Sequence, residues 1–348
     1  MFLRRTLLAS VSATALAVTA LPPMAQADEP MPVVATFSIL GDMVGRIGGE
    51  HISLTTLVGP DGDAHVYQPT PKDARSVSEA EVMFINGLDF EGWLERLAEA
   101  ASFDGTLVTA TKGIDAIAFD DHDDHDDHKD HDDHDDHDDH KDHDDHDDHK
   151  DHDDHDDHKD HDDHDDHHGH NHGAFDPHAW LSLDHAVTYV DNITAALATA
   201  DPENAADYYS NRADYIAQID SLSKEVAVMM SSIPEKKRTV VTPHDAFGYF
   251  SQTYDIKFVA PQGLSTDSEI SASDVAELIE QIREEGISAV FIESITDNRM
   301  IEQIANETGA VVGGTLYSDA LSAKEGPAST YLKMFRHNAV TISSVLGK

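Results

Sequence analysis

Forty-eight consecutive residues, Asp120 to His167, contain no apolar side chain and cannot join a folded core. They are sixteen triplets ending in His, twelve reading Asp-Asp-His and four reading Lys-Asp-His. A three-residue spacing drifts around a helical turn of about 3.6 residues, and Asp at this density is a poor helix former. An extended, solvated segment is expected, as for other like-charged low-complexity stretches. The fold must then be built from the two flanking pieces, with 119–173 as an insertion. His168-Gly169-His170-Asn171-His172 follows, so 19 of the 25 histidines lie between His122 and His172. Imidazole and carboxylate are donors for zinc-like metals, which makes the tract a metal-handling segment. His122, His125, His128, His164, His167, His168, His170 and His172 are expected to be weak accessory donors. Their acidic surroundings favour protonated imidazole, so protons compete with metal there.

The formal charge of -45 divides unevenly, with -24 in the triplets and -21 in the other 300 residues. The remainder is ordinarily acidic, with no basic patch of the kind that binds phosphate, which argues against nucleic acid and suits a cation. At the N-terminus, Arg4-Arg5 precedes the apolar run Leu7 to Leu21 and the small-x-small site Ala25-Gln26-Ala27. This reads as a signal peptide over 1–27, cleaved near Asp28, and the arginine pair leaves twin-arginine export open. The run is shorter than the roughly 20 residues of a membrane anchor, so an exported, soluble protein is expected. The chain has no cysteine. Disulfides, thiolate zinc sites and lipid attachment at an N-terminal Cys are thereby excluded, and a metal site must use His, Asp, Glu and water.

From Val33 onward short β-branched runs alternate with helical patterns. Strands are expected at 33–38, 52–58, 82–86 and 106–111, with helices at 39–47, 71–80 and 90–103. Helices follow at 184–200 and from Pro202 towards Ile233, the latter with the stripe Tyr208, Tyr215, Ile219, Leu222, Val226 and Met229. A second block repeats the alternation, with strands at 239–242, 257–260, 289–293 and 311–316 and helices at 245–254, 272–285, 300–308 and 331–346. The alternation predicts an α/β protein of two lobes, each with a parallel four-stranded sheet. The expected divisions are a first lobe over 28–201, a linking helix over 202–235 and a second lobe over 236–348.

Six histidines remain outside the tract: His51, His65, His178, His185, His244 and His337. His65, His244 and Asp319 lie just past predicted strands, where α/β folds place ligands, and His178 lies in a turn stiffened by Pro177. Two come from each lobe, so they can meet in the cleft between them. Three imidazoles and one carboxylate make a four-coordinate zinc site without sulfur. His51, His185 and His337 are expected in surface or capping roles, and Tyr67, Trp93, Trp180 and Tyr249 in packing, with Trp180 walling the pocket. Asp63, Asp245 and Glu293 are candidates to orient the ligand imidazoles.

The local sequences carry a resemblance. Pro60 to Asp73, with His65, resembles the first ligand motif of the cluster A-I (cluster 9) metal-binding proteins of ABC importers. Asp176-Pro177-His178-Ala179-Trp180-Leu181 looks like the second, Pro243-His244-Asp245-Ala246-Phe247-Gly248-Tyr249-Phe250 the third, and Gly314-Thr315-Leu316-Tyr317-Ser318-Asp319 the fourth. The resemblance covers nearly the whole mature chain. It implies two lobes joined by a rigid helix, with metal bound between them by His65, His178, His244 and Asp319. His rather than Glu at the third position implies zinc rather than manganese. Asp319 and the missing cysteine pair are similar to the AztC type, whereas the long His/Asp loop is similar to the ZnuA type.

The function expected is periplasmic capture of Zn2+ and its delivery to a membrane permease driven by a cytoplasmic ATPase. The protein would be a monomer, with the tract as a zinc-collecting lid or relay. The resemblance also allows a periplasmic zinc metallochaperone as a partner. A manganese-binding protein and a zinc buffer or storage protein are the alternatives. A zinc hydrolase is disfavoured, because four donors close the shell and no His-Glu-x-x-His helix or nucleophile elbow is present.

Overall fold

The computed structural model describes residues 29–118, 174–267 and 270–347. The expected signal peptide, its cleavage site and the tract histidines His122 to His172 lie outside these residues.

In the first lobe β1 (Met31–Phe37), β2 (Ile52–Val58), β3 (Val82–Ile85) and β4 (Thr106–Thr109) form a parallel sheet in the order β2-β1-β3-β4. β1 and β3 are apolar and buried almost throughout, the pattern of central strands covered on both faces. The connecting helices are α1 (Ser38–Gly48), α2 (Pro71–Ser78) and α3 (Leu94–Ala101). α2 starts where Thr70 and Asp73 form a reciprocal capping box and Pro71 fixes the first helical position. α3 starts later than the sequence suggests, because Gly87, Leu88 and Asp89 all take positive φ and turn the chain before it can coil.

Two helices then lie between the sheets, α4 (Leu183–Ala200) and α5 (Ala205–Ser231). At 1.5 Å per residue α5 spans about 40 Å and packs on α1 of the first lobe and on the last helix of the second. It is shorter than the expected 202–235, since Pro202 opens a separate 3-10 turn and another occupies Glu235–Lys237 after Pro234. Its buried stripe ends at Met230 rather than Met229, a full turn beyond Val226.

The second lobe repeats the first. β5 (Thr239–Val241), β6 (Lys257–Val259), β7 (Ala289–Glu293) and β8 (Val311–Leu316) form a parallel sheet in the order β6-β5-β7-β8. Its helices are α6 (Gly248–Tyr254), α7 (Ala272–Glu285), α8 (Arg299–Thr308) and α9 (Tyr331–Leu346). α6 begins three residues later than expected because His244 still bridges to Gln262 in strand fashion.

One apolar core runs through the first lobe, α4, α5 and the inner side of the second lobe, including Phe37, Phe90, Trp180, Tyr249, Phe291 and Phe335. A smaller cluster built on Leu278, Ile282, Val290, Ile301 and Ile304 lies under α7 and α8. Each fully buried Leu or Phe is worth about 1.5–3 kcal/mol, so prising the lobes apart through the shared core is costly. Among the described residues no helix is long and apolar enough to cross a membrane.

Candidate metal centre

The ligand candidates sit on short turns that follow strands. In the first lobe, Asp63-Ala64-His65 folds back so that the His65 backbone N–H donates to Asp63 Oδ1 at 2.9 Å. Trp93 Nε1 donates to the Ala64 carbonyl at 2.7 Å and fixes the turn. Asp176-Pro177-His178 repeats the motif, with the His178 backbone N–H 2.9 Å from Asp176 Oδ1. The same carboxylate oxygen lies 2.8 Å from His178 Nδ1. In the second lobe Glu293, the last residue of β7, accepts the His244 backbone N–H at 3.2 Å and lies 2.7 Å from His244 Nδ1. Ser318 Oγ donates to the same Glu293 at 2.6 Å, while Trp180 Nε1 reaches across the cleft to the Ser318 carbonyl at 2.8 Å. Asp319, one residue on, is thereby registered against the first lobe.

These four side chains converge. The ring centroids of His65, His178 and His244 form a near-equilateral triangle with sides of 5.5, 5.5 and 6.0 Å. Their Nε2 atoms lie 3.2, 3.5 and 3.1 Å from Asp319 oxygens, in the order His65, His178, His244. A tetrahedral zinc shell with bonds of about 2.0–2.1 Å has edges of about 3.3 Å, close to these three nitrogen–oxygen separations, with His65 and His244 facing one Asp319 oxygen and His178 the other. All four donors lie within 4.8 Å of one another. His178, His244 and Asp319 are fully buried. The three Nε2 atoms, His244 Nδ1 and both Asp319 oxygens find no hydrogen-bond partner of good geometry, His244 Nδ1 meeting Glu293 as an ion-pair contact only. Buried polar atoms left this way are costly unless something else occupies the space between them.

The carboxylates at Nδ1 of His178 and His244 hold the proton on that nitrogen and turn the Nε2 lone pair inward. Burial alone would depress the pKa of His244, but Glu293 and Asp319 outweigh it and raise it well above the usual histidine value. Burial would raise Asp319, yet His244 and His178 hold it well below the usual carboxylate range. His244 and Asp319 thus face each other as an ion pair that a divalent cation can replace.

His51, His185 and His337 stand apart from this group. His51 Nε2 pairs with Asp207 at 2.9 Å, the His185 backbone N–H is capped by Ser182, and His337 Nε2 lies 3.0 Å from the Thr315 carbonyl. Of the carboxylates proposed to orient rings, Glu293 does so. Asp63 instead supports the His65 backbone and accepts Thr266 Oγ1 from the other lobe at 2.6 Å. Asp245 uses its backbone N–H, on the Gln262 and Gly263 carbonyls. Burial, then the nearby Asp176, raises the pKa of its carboxyl.

Tyr249 does more than pack. Its hydroxyl accepts from Ile117 N–H and donates to the Asp176 carbonyl at 2.8 Å, tying α6 to the turn that carries His178. Gly248 beside it is required, since a Cβ there would collide with the Asp176 carboxylate. The sequence reading missed Asp176 and Phe90, whose ring stands 4.7 Å from His65 and 4.9 Å from Trp180. The repeated Asp-x-His pattern at 63–65 and 176–178 was the available signal for Asp176. The chain leaves for and returns from the insertion at one point, since Ala118 and Phe175 form an antiparallel bridge three residues before His178.

The chain is similar to known proteins. Residues 33–345 match the family described as zinc-uptake complex component A, periplasmic. The manganese-binding lipoprotein MntA of Bacillus subtilis (strain 168) is 31% identical over 325 residues, covering 92% of this chain and 91% of its own. The iron ABC transporter substrate-binding lipoprotein MtsA of Streptococcus pyogenes serotype M1 is 28% identical over 320 residues, covering 91% of this chain and 89% of its own. Among solved structures, the periplasmic zinc-binding protein TroA of Treponema pallidum superposes with a TM-score of 0.73 at 26% identity, over 92% of this chain and 100% of that one.

Proposed function

The chain belongs to the family of zinc-uptake complex component A, the extracytoplasmic metal-binding proteins of ABC importers, and from that premise we propose that its cargo is Zn2+. His65, His178, His244 and Asp319 take the ion between the lobes, and the loaded protein delivers it to a membrane permease powered by a cytoplasmic ATPase. The observation that carries this reading is the donor set, three imidazole nitrogens facing one carboxylate at 3.1–3.5 Å. Nitrogen-rich four-coordination suits zinc, whereas manganese prefers six donors weighted toward oxygen. A closed shell of four protein donors leaves no position for the reactive water of a catalytic zinc site.

Loading follows from the charges in the site. Glu293 and Asp319 beside His244 favour a proton on its ring until an ion binds. The incoming ion takes over the Asp319 oxygens and expels a proton from the imidazole side. The tract over 119–173, leaving and re-joining the fold beside His178, assists by raising the local concentration of zinc. Export through the signal peptide at 1–27 places the protein in the periplasm.

Manganese is the second reading, favoured by the 31% identity to a manganese-binding lipoprotein. His178→Ala, made with 119–173 removed, tests the site. Zinc affinity should fall by more than the roughly 100-fold typical of outer-shell changes. Unchanged calorimetric affinity and stoichiometry would overturn the assignment.

A further inference from the structure

Each lobe carries one fully buried glutamate beyond or at the end of its third strand. In the second lobe it is Glu293, which holds a ligand histidine directly. In the first lobe it is Glu91, which holds no ligand and collects only neutral donors. Its Oε1 accepts from Thr36 Oγ1 at 2.6 Å and from the Asn86 backbone N–H at 2.6 Å, and its Oε2 from the Gly87 N–H at 3.2 Å. Burial, only partly offset by these bonds, raises its pKa. A buried carboxyl of this kind is costly, and here it is offset by satisfying one hydroxyl and two backbone N–H donors.

What it secures is an unusual turn. Gly87, Leu88 and Asp89 have φ of 87, 55 and 59°, three left-handed residues in succession, two of them not glycine. Gly87 has no alternative, because a Cβ there would press into Thr109 and Thr111. Strained backbone persists where the surroundings over-determine it, and it clusters at functional sites. Both ends of this turn reach the metal centre. At its start, Asn86 Nδ2 donates to the Pro177 carbonyl at 2.9 Å, one residue before His178. At its end, the Phe90 ring stands 4.7 Å from His65 and 6.2 Å from His178.

We propose that Glu91 is a positioning residue for the first-lobe half of the metal centre: by clamping the turn 86–90 it sets Asn86 against the His178 turn and Phe90 against His65. This rests on the zinc reading above. Glu91 occupies the place in its lobe that Glu293 occupies in the other, acting through the backbone and an aromatic wall instead of through a ligand nitrogen.

The test uses the full chain with a single equivalent of metal, which fills the tightest site first. Glu91→Gln keeps the side chain's shape but turns one acceptor into a donor against Thr36 or the backbone N–H groups. Zinc affinity should drop about 10–100-fold, the range for residues that orient ligands, and the visible absorption of bound Co2+ should change. Val77→Ala, a buried change in α2 of the same lobe, should lower the melting temperature but leave affinity and spectrum alone. If Glu91→Gln does not fold, Thr36→Val removes one donor from the carboxylate and should shift both readouts in the same direction. Loss of thermal stability with unchanged affinity and spectrum, in whichever variant folds, would overturn the proposal. So would an equal loss of affinity in Val77→Ala. If the unmodified chain holds no tight equivalent of zinc, the reading of the centre fails instead, before any variant is compared.

Discussion

The two lobes share one strand order and contribute two ligand candidates each, yet they hold them by different means. In the first lobe Asp176 reaches both the ring and the backbone of His178, whereas Asp63 and Trp93 hold the His65 turn through its backbone alone and Asn86 braces the other turn at Pro177. The second uses one carboxylate, Glu293, to reach both the ring and backbone of His244 and the Ser318 next to Asp319. The packing differs as well. The central strands β1 and β3 of the first lobe lie within the shared core, whereas α7 and α8 rest on a small core of their own. A repeated fold can therefore supply one rigid wall and one wall with a softer outer layer, provided that the inner layers are fused. The fused inner layer keeps the ligands in register, and the outer layer of the second lobe is where loosening costs least.

The largest test of this asymmetry exchanges the ligand that is unlike its counterpart in manganese proteins. His244→Glu should cut the preference for zinc over manganese by more than about 100-fold, because it replaces nitrogen with oxygen in the shell. Competition between the two ions for the variant checks it. A preserved ratio would remove the second lobe from the account of selectivity.

Neutralising the ring-orienting carboxylates, Asp176→Asn in one lobe and Glu293→Gln in the other, should each weaken zinc binding by about 10–100-fold. Glu293 touches the neighbours of both second-lobe ligands, so its variant should lose more. Equal or reversed losses in chelator competition would mean that the two supports are equivalent. The effect of pH comes next. Glu293 and Asp319 raise the pKa of His244, so a proton competes with the ion above the ordinary histidine range and affinity should climb with pH into that region. The slope should be about tenfold per pH unit for each proton displaced. Calorimetry in buffers of different ionisation enthalpy reads that proton directly, and zero release at neutral pH would contradict the charge arrangement.

Much of this was legible from the chain itself. The β-branched runs and their intervening helices predicted both sheets, because fully buried parallel strands leave a plain apolar signature. His65, His244 and Asp319 were legible because each follows a strand end and carries a metal-binding side chain, and His178 because it stands in a turn stiffened by Pro177. The late start of α3 was hidden, since Leu88 and Asp89 in left-handed conformation leave no mark in composition. Phe90 and Tyr249 read as ordinary core residues, and only the fold shows the ring of one against His65 and the hydroxyl of the other bridging Ile117 and Asp176. Asp176 had a visible sign in the Asp-x-His spacing that it shares with Asp63, and its contact with the ring depends on a turn that one sequence does not specify. Met229 and Met230 were separable only by helical phase.

The smallest effect on binding should come from the outer layer. Ile282→Ala should cost about 2–5 kcal/mol of stability while leaving zinc affinity unchanged, as denaturation and competition titrations would show. Hydrogen exchange should find α7 and α8 less protected than α1 and α4, with or without metal, if the smaller core sets the local stability. Equal protection would mean that the second lobe is as firmly built as the first.

The central claim is one nitrogen-rich, four-coordinate ion held between the two walls. X-ray absorption at the zinc edge, on the protein lacking 119–173 and loaded with one equivalent, tests it most directly. The account predicts four ligands at about 2.0–2.1 Å, three of them imidazoles, with the signal unchanged by a tenfold excess of manganese. A six-coordinate, oxygen-dominated shell, or displacement of zinc by manganese, would contradict it.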